Sequence, residues 1–346
     1  QYKDILPKIK YVITLDADTN LILNSAFELV GAMAHILNKP KLDESKNIVV
    51  EGHGIIQPRI GINLDISYKS LFTKIFAGAG GIDTYTNAIS DIYQDNFDEG
   101  IFTGKGIYDL EIFSKVLKNA IPENTVLSHD LLEGNYLRCG LATDILIMDG
   151  YPSKYNSFTN RLSRWIRGDW QITKWLTNKI NNGEKEIKNP LNFLSKYKIF
   201  DNLRRSLLEI SLIISIIFVS IIGAIKNSSI MHLILIILAI SIFPYILEII
   251  NNLILKKEGE KNQKTFTPKI SGYKGMFLRA LITLSVLPNK AYISFVSIVK
   301  TIYRKNITHE HLLEWMTSEE AEKQAKSDYA SYFTQMWFNC AFGILT

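Results

Sequence analysis

Cysteine is nearly absent from this 346-residue sequence, which contains only Cys139 and Cys340. Their separation fits neither a disulfide framework nor the ligand spacing of a zinc site. So few cysteines favour a reducing compartment. The first ten residues are polar and mixed in charge, unlike a signal peptide. The chain opens at Gln1, without a Met, on a pattern typical of an internal strand, so we expect it to be part of a longer protein.

A large charge excess of either sign is also missing. The sequence has 39 Lys and Arg against 34 Asp and Glu, a net charge of +5. This mildly basic balance is compatible with nucleic acid, an anionic membrane surface or simple solubility.

A P-loop is absent too, because the glycines around Lys105 have the wrong spacing and no Ser or Thr follows that lysine.

Residues 1–200 have the pattern of an α/β domain. Short β-branched runs, YVITL (11–15) and NIVVEG (47–52), flank a stretch with helical apolar spacing at 25–37. Ser25 is the predicted N-cap of that helix, with Glu28 three residues later. A strand, a helix and a strand in this order predict a parallel sheet covered by helices.

Residues 201–346 have the composition of an α-helical membrane region. Apolar runs at about 207–225 and 230–250 are each long enough to span a hydrocarbon core of roughly 30 Å, although a buried helical hairpin is the soluble alternative. The apolar stretch 275–303 is interrupted at Pro288, which predicts two interfacial helices rather than a third span. Residues 332–346 have the pattern of the start of a further span.

Cations flank the two predicted spans, whereas the short loop between them has only one. By the positive-inside rule, both flanks and the α/β domain are then expected in the cytoplasm. The flanking cations are Lys196, Lys198, Arg204, Arg205, Lys256, Lys257, Lys261 and Lys264.

Two acids, Asp16 and Asp18, directly follow the first predicted strand. Ligands of open α/β sheets bind at the carboxyl ends of the strands. Two carboxylates there are suited to a hard divalent cation that bridges a diphosphate. A turn in which an Asp caps the following segment is the alternative for so short a motif.

Two further segments combine glycine or acid with a helical pattern. In the stretch 96–113, Gly104 and Lys105 belong to a glycine cluster that lets the backbone approach a ligand, unless it is merely a turn. In the stretch 122–134, Asp130 and Glu133 open a helix beside His129. Asp130 is a candidate general base, and helix capping is the alternative role of such an acid.

The stretch 161–175 concentrates cations and tryptophans. Arg suits phosphate oxygens and Trp suits a sugar face or a nucleobase, so a ligand site, a nucleic-acid surface and a membrane-interface belt are all compatible with it. The acidic clusters around Asp16 and Asp130 argue against nucleic acid, so no nucleic-acid partner is expected. The residues concerned are Arg161, Arg164, Trp165, Arg167, Trp170, Lys174 and Trp175.

The order of these features resembles the membrane-bound, processive, inverting glycosyltransferases of family 2. Those enzymes have an Asp-x-Asp metal motif, a base that follows an acidic residue, and a Gln-x-x-Arg-Trp motif before membrane helices. This chain departs from the pattern, because His129 precedes Asp130 and Arg161 stands where the family has Gln. These departures argue against cellulose synthase proper.

A closer resemblance is to the glucosyltransferase and membrane region of the cyclic β-1,2-glucan synthases, glycosyltransferase family 84. The resemblance covers most of the chain, and several long motifs that occur in the same order make it specific. They are YVITLDADT (11–19), EGIFTGKGIYD (99–109), ENTVLSHDLLEG (123–134), DGYPSKY (149–155), RWIRGDWQ (164–171) and HLLEWMTSEEAE (311–322).

The resemblance implies a GT-A-like nucleotide-sugar domain at 1–200, truncated at its N-terminus, followed by the membrane region. It implies UDP-glucose as donor, a β-glucan acceptor, Mg²⁺ or Mn²⁺ as cofactor, and a β-1,2-glucan product. The expected location is a bacterial inner membrane, with several spans and a cytoplasmic catalytic domain. A phosphorylase-like domain is expected elsewhere in the full-length chain.

The resemblance also assigns roles to individual residues. Asp18 coordinates the metal and Asp16 lies beside the metal and the donor, while Asp130 is the catalytic base. Arg164 and Arg167 are expected on the pyrophosphate and Trp165 on the acceptor sugar. The remaining substrate-binding candidates are Gly104, Lys105, His129 and Arg161. A synthase for another sugar or linkage, and a non-catalytic membrane scaffold or transporter fragment, remain the alternatives.

Overall fold

The computed structural model describes residues 9–77, 91–181, 185–226, 229–254, 270, 272–326 and 328–345. Within these ranges the strands are β1 Tyr11–Thr14, β2 Asn20–Leu21, β3 Lys41–Asp43, β4 Ile48–Glu51, β5 Ile55–Ile62, β6 Gly106–Asp109, β7 Cys139–Asp149, β8 Lys179–Asn181 and β9 Glu186–Lys188.

Within the described residues the α-helices are from four to 34 residues long, and the three longest lie in the second half of the chain. They are α1 Ser25–Ala34, α2 Leu64–Ser67, α3 Leu71–Phe76, α4 Ile92–Phe97, α5 Leu110–Leu117, α6 Asp130–Leu137, α7 Tyr155–Gln171, α8 Phe193–Lys226, α9 Met231–Ile254, α10 Gly272–Tyr303, α11 Ser318–Gln324, α12 Tyr329–Gln335 and α13 Trp337–Leu345.

The main sheet has five strands in the order β1-β6-β5-β7-β2. Only β5 and β7 pair in parallel, while β6 is antiparallel to both of its neighbours, β1 and β5. It follows that β1, β5 and β7 run in one direction and β6 runs in the other. The expected α/β class is confirmed, but the predicted parallel sheet is wrong, because the sheet is mixed.

The predicted strand NIVVEG forms outside this sheet. It becomes β4, which pairs antiparallel with β3 in a separate hairpin. The turn between them explains why, since the Asp43 carboxylate accepts hydrogen bonds from the backbone of Ser45 and Lys46, and Asn47 adopts a left-handed conformation. The adjacent helix prediction is confirmed as α1, but Asn24 is its N-cap rather than Ser25, whose hydroxyl donates to the Leu146 carbonyl.

Apolar side chains pack on both faces of the main sheet. Leu29 of α1 packs with Ile56, Ile107 and Ile145 on one face. On the other face Ile55 and Leu132 belong to the larger core. Burial of such side chains contributes roughly 1.5–3 kcal/mol each. This two-sided core fixes the sheet edge on which the polar candidates lie.

The first long helix, α8, passes through the predicted domain boundary at residue 200 without a break. Near its start, Lys198 is fully buried and donates to Glu99 at 2.8 Å and to the Gly100 carbonyl at 2.9 Å. Lys198 therefore joins the helical region to the α/β region through a buried ion pair.

Helix α10 corrects the prediction of two interfacial helices, because Gly272–Tyr303 is a single helix with Pro288 inside it. Pro288 leaves a gap in the hydrogen bonds of the helix. At the next residue, the backbone amide of Asn289 donates to Asn339 Oδ1 at 2.7 Å, and Asn339 Nδ2 donates to the Ser285 carbonyl at 3.0 Å. The Asn339 side chain thus bridges the pair that would otherwise bond within the helix, and α10 continues through the proline.

Two helical segments are long and apolar enough to cross a membrane by length and composition, Phe193–Lys226 and Gly272–Thr308. The first contains the predicted span 207–225, whereas the second contains the stretch predicted to be interfacial. The predicted span 230–250 lies in α9, which counts as a shorter apolar helix over Met231–Leu247. The predicted flanking cations Lys256, Lys257, Lys261 and Lys264 lie outside the described residues.

Candidate functional site

One edge of the main sheet collects most of the predicted site residues. Because β1 and β7 run in the same direction and β6 runs oppositely, the carboxyl ends of β1 and β7 meet the start of β6 at this edge. After β1 the chain crosses to β7, where Asn20 pairs with Met148. The crossing carries Asp16 and Asp18 to the end of β7, beside the loop that precedes β6.

Three acids form a carboxylate cluster there, made of Asp16, Asp18 and Asp149. Each offers one oxygen, and the three oxygens lie within 4.8 Å of one another. Asp149, at the end of β7, is buried and accepts a hydrogen bond from Thr19 at 2.9 Å. Burial and the charge of Asp149 raise the pKa of Asp18. Gly150 leaves room for this side chain, because a Cβ at this position would overlap the Asp18 carboxylate unless it shifted.

Two buried cations, Lys105 and Arg161, face the carboxylate cluster. Lys105 Nζ lies 2.7 Å from Asp16 and 3.3 Å from Asp149, and an Arg161 nitrogen lies 3.9 Å from Asp149. Burial disfavours the Lys105 ammonium, yet Asp149 and Asp16 outweigh burial and raise its pKa. Three carboxylates against two cations leave one net negative charge.

The donor chemistry of the carboxylate cluster fits Mg²⁺ or Mn²⁺. Carboxylate oxygens are the ligands that these hard cations prefer. Arg161 lowers the pKa of Asp18, but burial and the charge of Asp149 outweigh it, so the ionised form of Asp18 is only partly compensated. A divalent ion held by Asp16, Asp18 and Asp149 would complete that compensation.

Asp130 is the first residue of α6 and lies against the loop of Gly104. Gly104 has a φ of +87°, and a Cβ on it would meet Asp130 Oδ2 at 3.2 Å. Burial, and next the charge of Glu133, raise the pKa of Asp130. Ser128 donates to the same carboxylate at 3.4 Å. A half-buried carboxyl with a raised pKa is suited to accept a proton near neutral pH.

His129 points to Glu133 rather than to Asp130. Its Nδ1 lies 2.7 Å from Glu133 Oε1, and this hydrogen bond raises the pKa of His129. The imidazolium in turn lowers the pKa of Asp130, against the larger opposing effects of burial and Glu133. His129 therefore adjusts the charge around Asp130.

The side chain of Gln57 in β5 holds the loop before β6. Its Oε1 accepts hydrogen bonds from the Thr103 backbone amide at 3.0 Å and from the Thr103 hydroxyl at 3.2 Å. Gln57 is fully buried next to a register shift at Pro58. Fixing Thr103 also fixes Gly104 against Asp130 and Lys105 against the carboxylate cluster.

Helix α7 brings two arginine–tryptophan pairs to the site. The guanidinium carbon of Arg161 lies 5.2 Å from the ring centre of Trp165, and that of Arg164 lies 5.2 Å from the ring centre of Trp315. Burial lowers the pKa of Arg164, with Arg161 acting in the same direction and Asp16, Asp130 and Asp18 opposing it. Arg164 is thus within electrostatic reach of both acid groups.

Arg167 lies on another side of α7. Burial and the charge of Arg304 lower its pKa, while Glu314 acts in the opposite direction. Its Nη2 is buried without a hydrogen-bond partner among the described residues. Of the predicted site residues, Asp16, Asp18, Gly104, Lys105, Asp130, Arg161 and Arg164 therefore come together, while Arg167 faces Arg304 and Glu314.

The site residues predicted from the sequence did not include Asp149, Gln57, Gln171 and Trp315. Gln171 is buried, accepts from the Leu127 amide at 2.6 Å and donates to the Leu312 carbonyl at 2.9 Å. It thereby links the loop of Asp130 to the residues around Trp315. Two of them could have been found in the sequence. Asp149 is an acid at the end of the apolar run ILIMD, and Trp315 lies in the motif HLLEW.

No protein-family model matches the chain. The chain is similar to "Cyclic beta-(1,2)-glucan synthase NdvB" of Rhizobium meliloti (strain 1021), with 32% identity over 333 residues. The match covers 95% of this chain and 11% of that protein. The chain therefore spans about a ninth of the length of the curated relative that it matches.

Proposed function

Because this chain is cyclic β-(1,2)-glucan synthase-like, we propose that it is the part of such a synthase that transfers glucose from UDP-glucose to a growing β-1,2-glucan. One observation supports the proposal: the carboxylate cluster and Asp130 lie on two sides of the Gly104–Lys105 loop, so the proposed donor site and the proposed base adjoin each other. A GT-A-like domain is the fold that this proposal entails.

The carboxylate cluster is the proposed donor site. Asp16, Asp18 and Asp149 would hold Mg²⁺ or Mn²⁺, which when bound neutralises charge on the departing diphosphate. Lys105 and Arg161 already offset two of the three carboxylates. With a divalent cation the group would bear a net positive charge of one, which suits an anionic diphosphate.

Asp130 is the proposed general base of a single inverting displacement. It takes the proton from the acceptor 2-hydroxyl as that oxygen forms a bond to C1 of glucose. The bond between C1 and the diphosphate oxygen breaks, and UDP leaves from the opposite face. An α-linked donor then gives a β-linkage through an oxocarbenium-like state of the kind known from glycosidases. The raised pKa of Asp130 supports this role.

The arginines and Trp165 of α7 are proposed to orient the two substrates. Arg164 is within electrostatic reach of Asp18 and Asp130, which supports a role on the pyrophosphate. Trp165 is held by Arg161 and is proposed to stack on the acceptor sugar. Arg167 would act on the pyrophosphate only indirectly, since its charged neighbours are Arg304 and Glu314.

The proposed location is a bacterial inner membrane with the catalytic domain in the cytoplasm. Two helices that are long and apolar enough to cross a membrane support this location. The length of the relative supports further domains outside this chain, and a phosphorylase-like domain is among those we propose.

The full-length synthase in isolated membranes tests the proposal with labelled UDP-glucose. We expect UDP release and label in a β-1,2-linked glucan, both lost with EDTA. Asp130→Asn is expected to lower turnover by about 10²–10⁴-fold, whereas Asp65→Asn, an exposed acid on α2, is expected to leave it unchanged. Full turnover by Asp130→Asn would refute the base. Use of another nucleotide sugar, or another linkage, would identify a different polysaccharide synthase.

A further inference from the structure

The segment 309–317 folds back over α7 and is held at four of its residues. Arg304, in the π-helix Arg304–Thr308 that follows α10, donates to the His311 carbonyl at 2.8 Å and pairs with Glu314 at 2.6 Å. Gln171 of α7 donates to the Leu312 carbonyl. Thr317 then caps α11 in a reciprocal capping box with Glu320. These contacts fix both sides of the residue between them, Trp315.

Trp315 is held in place and yet exposes 56% of its surface. The Arg164 guanidinium packs on its ring at 5.2 Å. A cation on an aromatic face is attracted to the ring and restrains the indole. The exposed part of the ring is thus a rigid apolar surface in a polar setting.

The position of Trp315 connects it to the proposed reaction. Its partner Arg164 is within electrostatic reach of Asp16, Asp18 and Asp130. Gln171 links its segment to Leu127, three residues before Asp130. Trp315 is therefore linked to the acids through Arg164 and to the loop of Asp130 through Gln171, and it is more exposed than Trp165.

We propose that Trp315 is a second acceptor-binding residue, whose exposed face stacks on a glucose unit of the growing glucan. The C–H face of a β-linked glucopyranose is apolar, and its hydroxyls point outward at the rim, so it suits an indole bordered by Arg164 and Glu314. Trp165 and Trp315 would then contact neighbouring positions along one acceptor chain. The inference rests on the proposed glucosyltransferase function.

The test uses the full-length synthase in membranes, with a soluble β-1,2-glucan oligosaccharide as acceptor. Trp315→Ala is expected to raise the KM for the acceptor about tenfold. The KM for UDP-glucose and the UDP release into water without acceptor are expected to stay within about twofold. Trp315→Phe is expected to restore most of the acceptor affinity. Met316→Ala is the matched control, since Met316 is 40% exposed next to Trp315.

A readout without turnover accompanies the kinetics. Quenching of tryptophan fluorescence by the oligosaccharide is expected in the wild type and reduced in Trp315→Phe. An unchanged acceptor KM in Trp315→Ala would overturn the inference. So would an equal rise in the KM for UDP-glucose, which would assign the ring to the donor, or a loss of membrane association, which would make it an interface anchor. A wild-type synthase that releases no UDP from UDP-glucose would instead refute the proposed function.

Discussion

In the centre of the main sheet large apolar side chains are buried, whereas in α9 many of them face outward. Ile55, Ile107 and Ile147 are fully buried in the sheet, while Leu235 and Ile236 of α9 are 58% and 60% exposed. Water penalises the second arrangement and a lipid bilayer favours it. This difference supports the proposed membrane location of the helical region, although α8 passes from one region into the other.

Polar contacts differ between the regions as well. In the α/β region they assemble a site, as with Lys105 and the carboxylate cluster. In the helical region they close gaps, as with Asn339 at Pro288, or pair helices, as with Lys290 of α10 and Glu209 of α8 at 3.0 Å. Polar side chains in an apolar environment therefore lie where a backbone group or a charged partner needs them.

The largest effect is expected where the two regions join. Lys198→Met leaves Glu99 buried without its cation, which should lower the free energy of unfolding by about 3–5 kcal/mol. Thermal unfolding of the full-length protein in detergent measures it. Lys196→Met, two residues away on the same helix, is the control and should change little, because the Lys196 ammonium makes an exposed hydrogen bond to the Thr177 carbonyl. Adding Glu99→Leu to Lys198→Met should recover much of the loss, and a failure to recover would show that the ion pair is not the cause.

The second prediction separates outward-facing residues of the two regions. Ile240→Lys places a charge near the middle of the apolar stretch Met231–Leu247 and should disfavour its insertion by about 2.5–3.5 kcal/mol. The inserted fraction of residues 229–254 in microsomes measures it. Met231→Lys, at the helix end, should cost less. Phe27→Lys on α1, where Phe27 is 81% exposed, should leave membrane association of the whole chain unchanged. Equal insertion of all variants would contradict a bilayer around α9.

The third prediction concerns the bridge at Pro288. Asn339→Leu leaves the Asn289 amide and the Ser285 carbonyl unpaired, which should cost about 1–3 kcal/mol. Unfolding in detergent, with catalytic turnover measured in parallel, reports it. Thr334→Val serves as control, since Thr334 is exposed and bonds only to the backbone of its own helix. A change in Thr334→Val of the same size would show that α12 and α13 are destabilised generally.

The smallest effect is a shift in the pH profile of the α/β site. The proposed base must be ionised, so turnover should fall as pH falls through the raised pKa of Asp130. Glu133→Gln removes a charge that raises this pKa and should move the acidic limb to lower pH. His129→Gln removes a charge that lowers it and should move the limb to higher pH. Profiles of kcat/KM against pH measure both, and shifts in the same direction would refute the electrostatic explanation.

The parts of the fold that depend on residues close together in the sequence were predictable. Strand β1 and helix α1 formed where local spacing indicated, and the long apolar runs became long helices. Sheet order was not predictable, because the pairing of β1 with β6 joins residues about a hundred positions apart. The continuity of α10 escaped prediction for the same reason, since Asn339 lies 50 residues from Asn289.

The same distinction between local and long-range features applies to the residues of the candidate site. Asp16, Asp18 and Asp130 stood out because acids at strand ends or helix starts are visible locally. Asp149 joined them only through the crossing from β1 to β7, which no local pattern encodes. Trp315 is about 150 residues from Arg164, so only the folded chain brings the two side chains together.

Gln171 has a consequence for how the sequence can change over time. Its amide oxygen must face the Leu127 amide and its amide nitrogen must face the Leu312 carbonyl. Glutamate has nearly the same shape, but it would set a carboxylate oxygen against the Leu312 carbonyl oxygen, and the two would repel. Asparagine keeps the chemistry but is one carbon shorter. Lineages that retain both flanking loops are therefore expected to retain glutamine here, although the residue contacts neither proposed substrate.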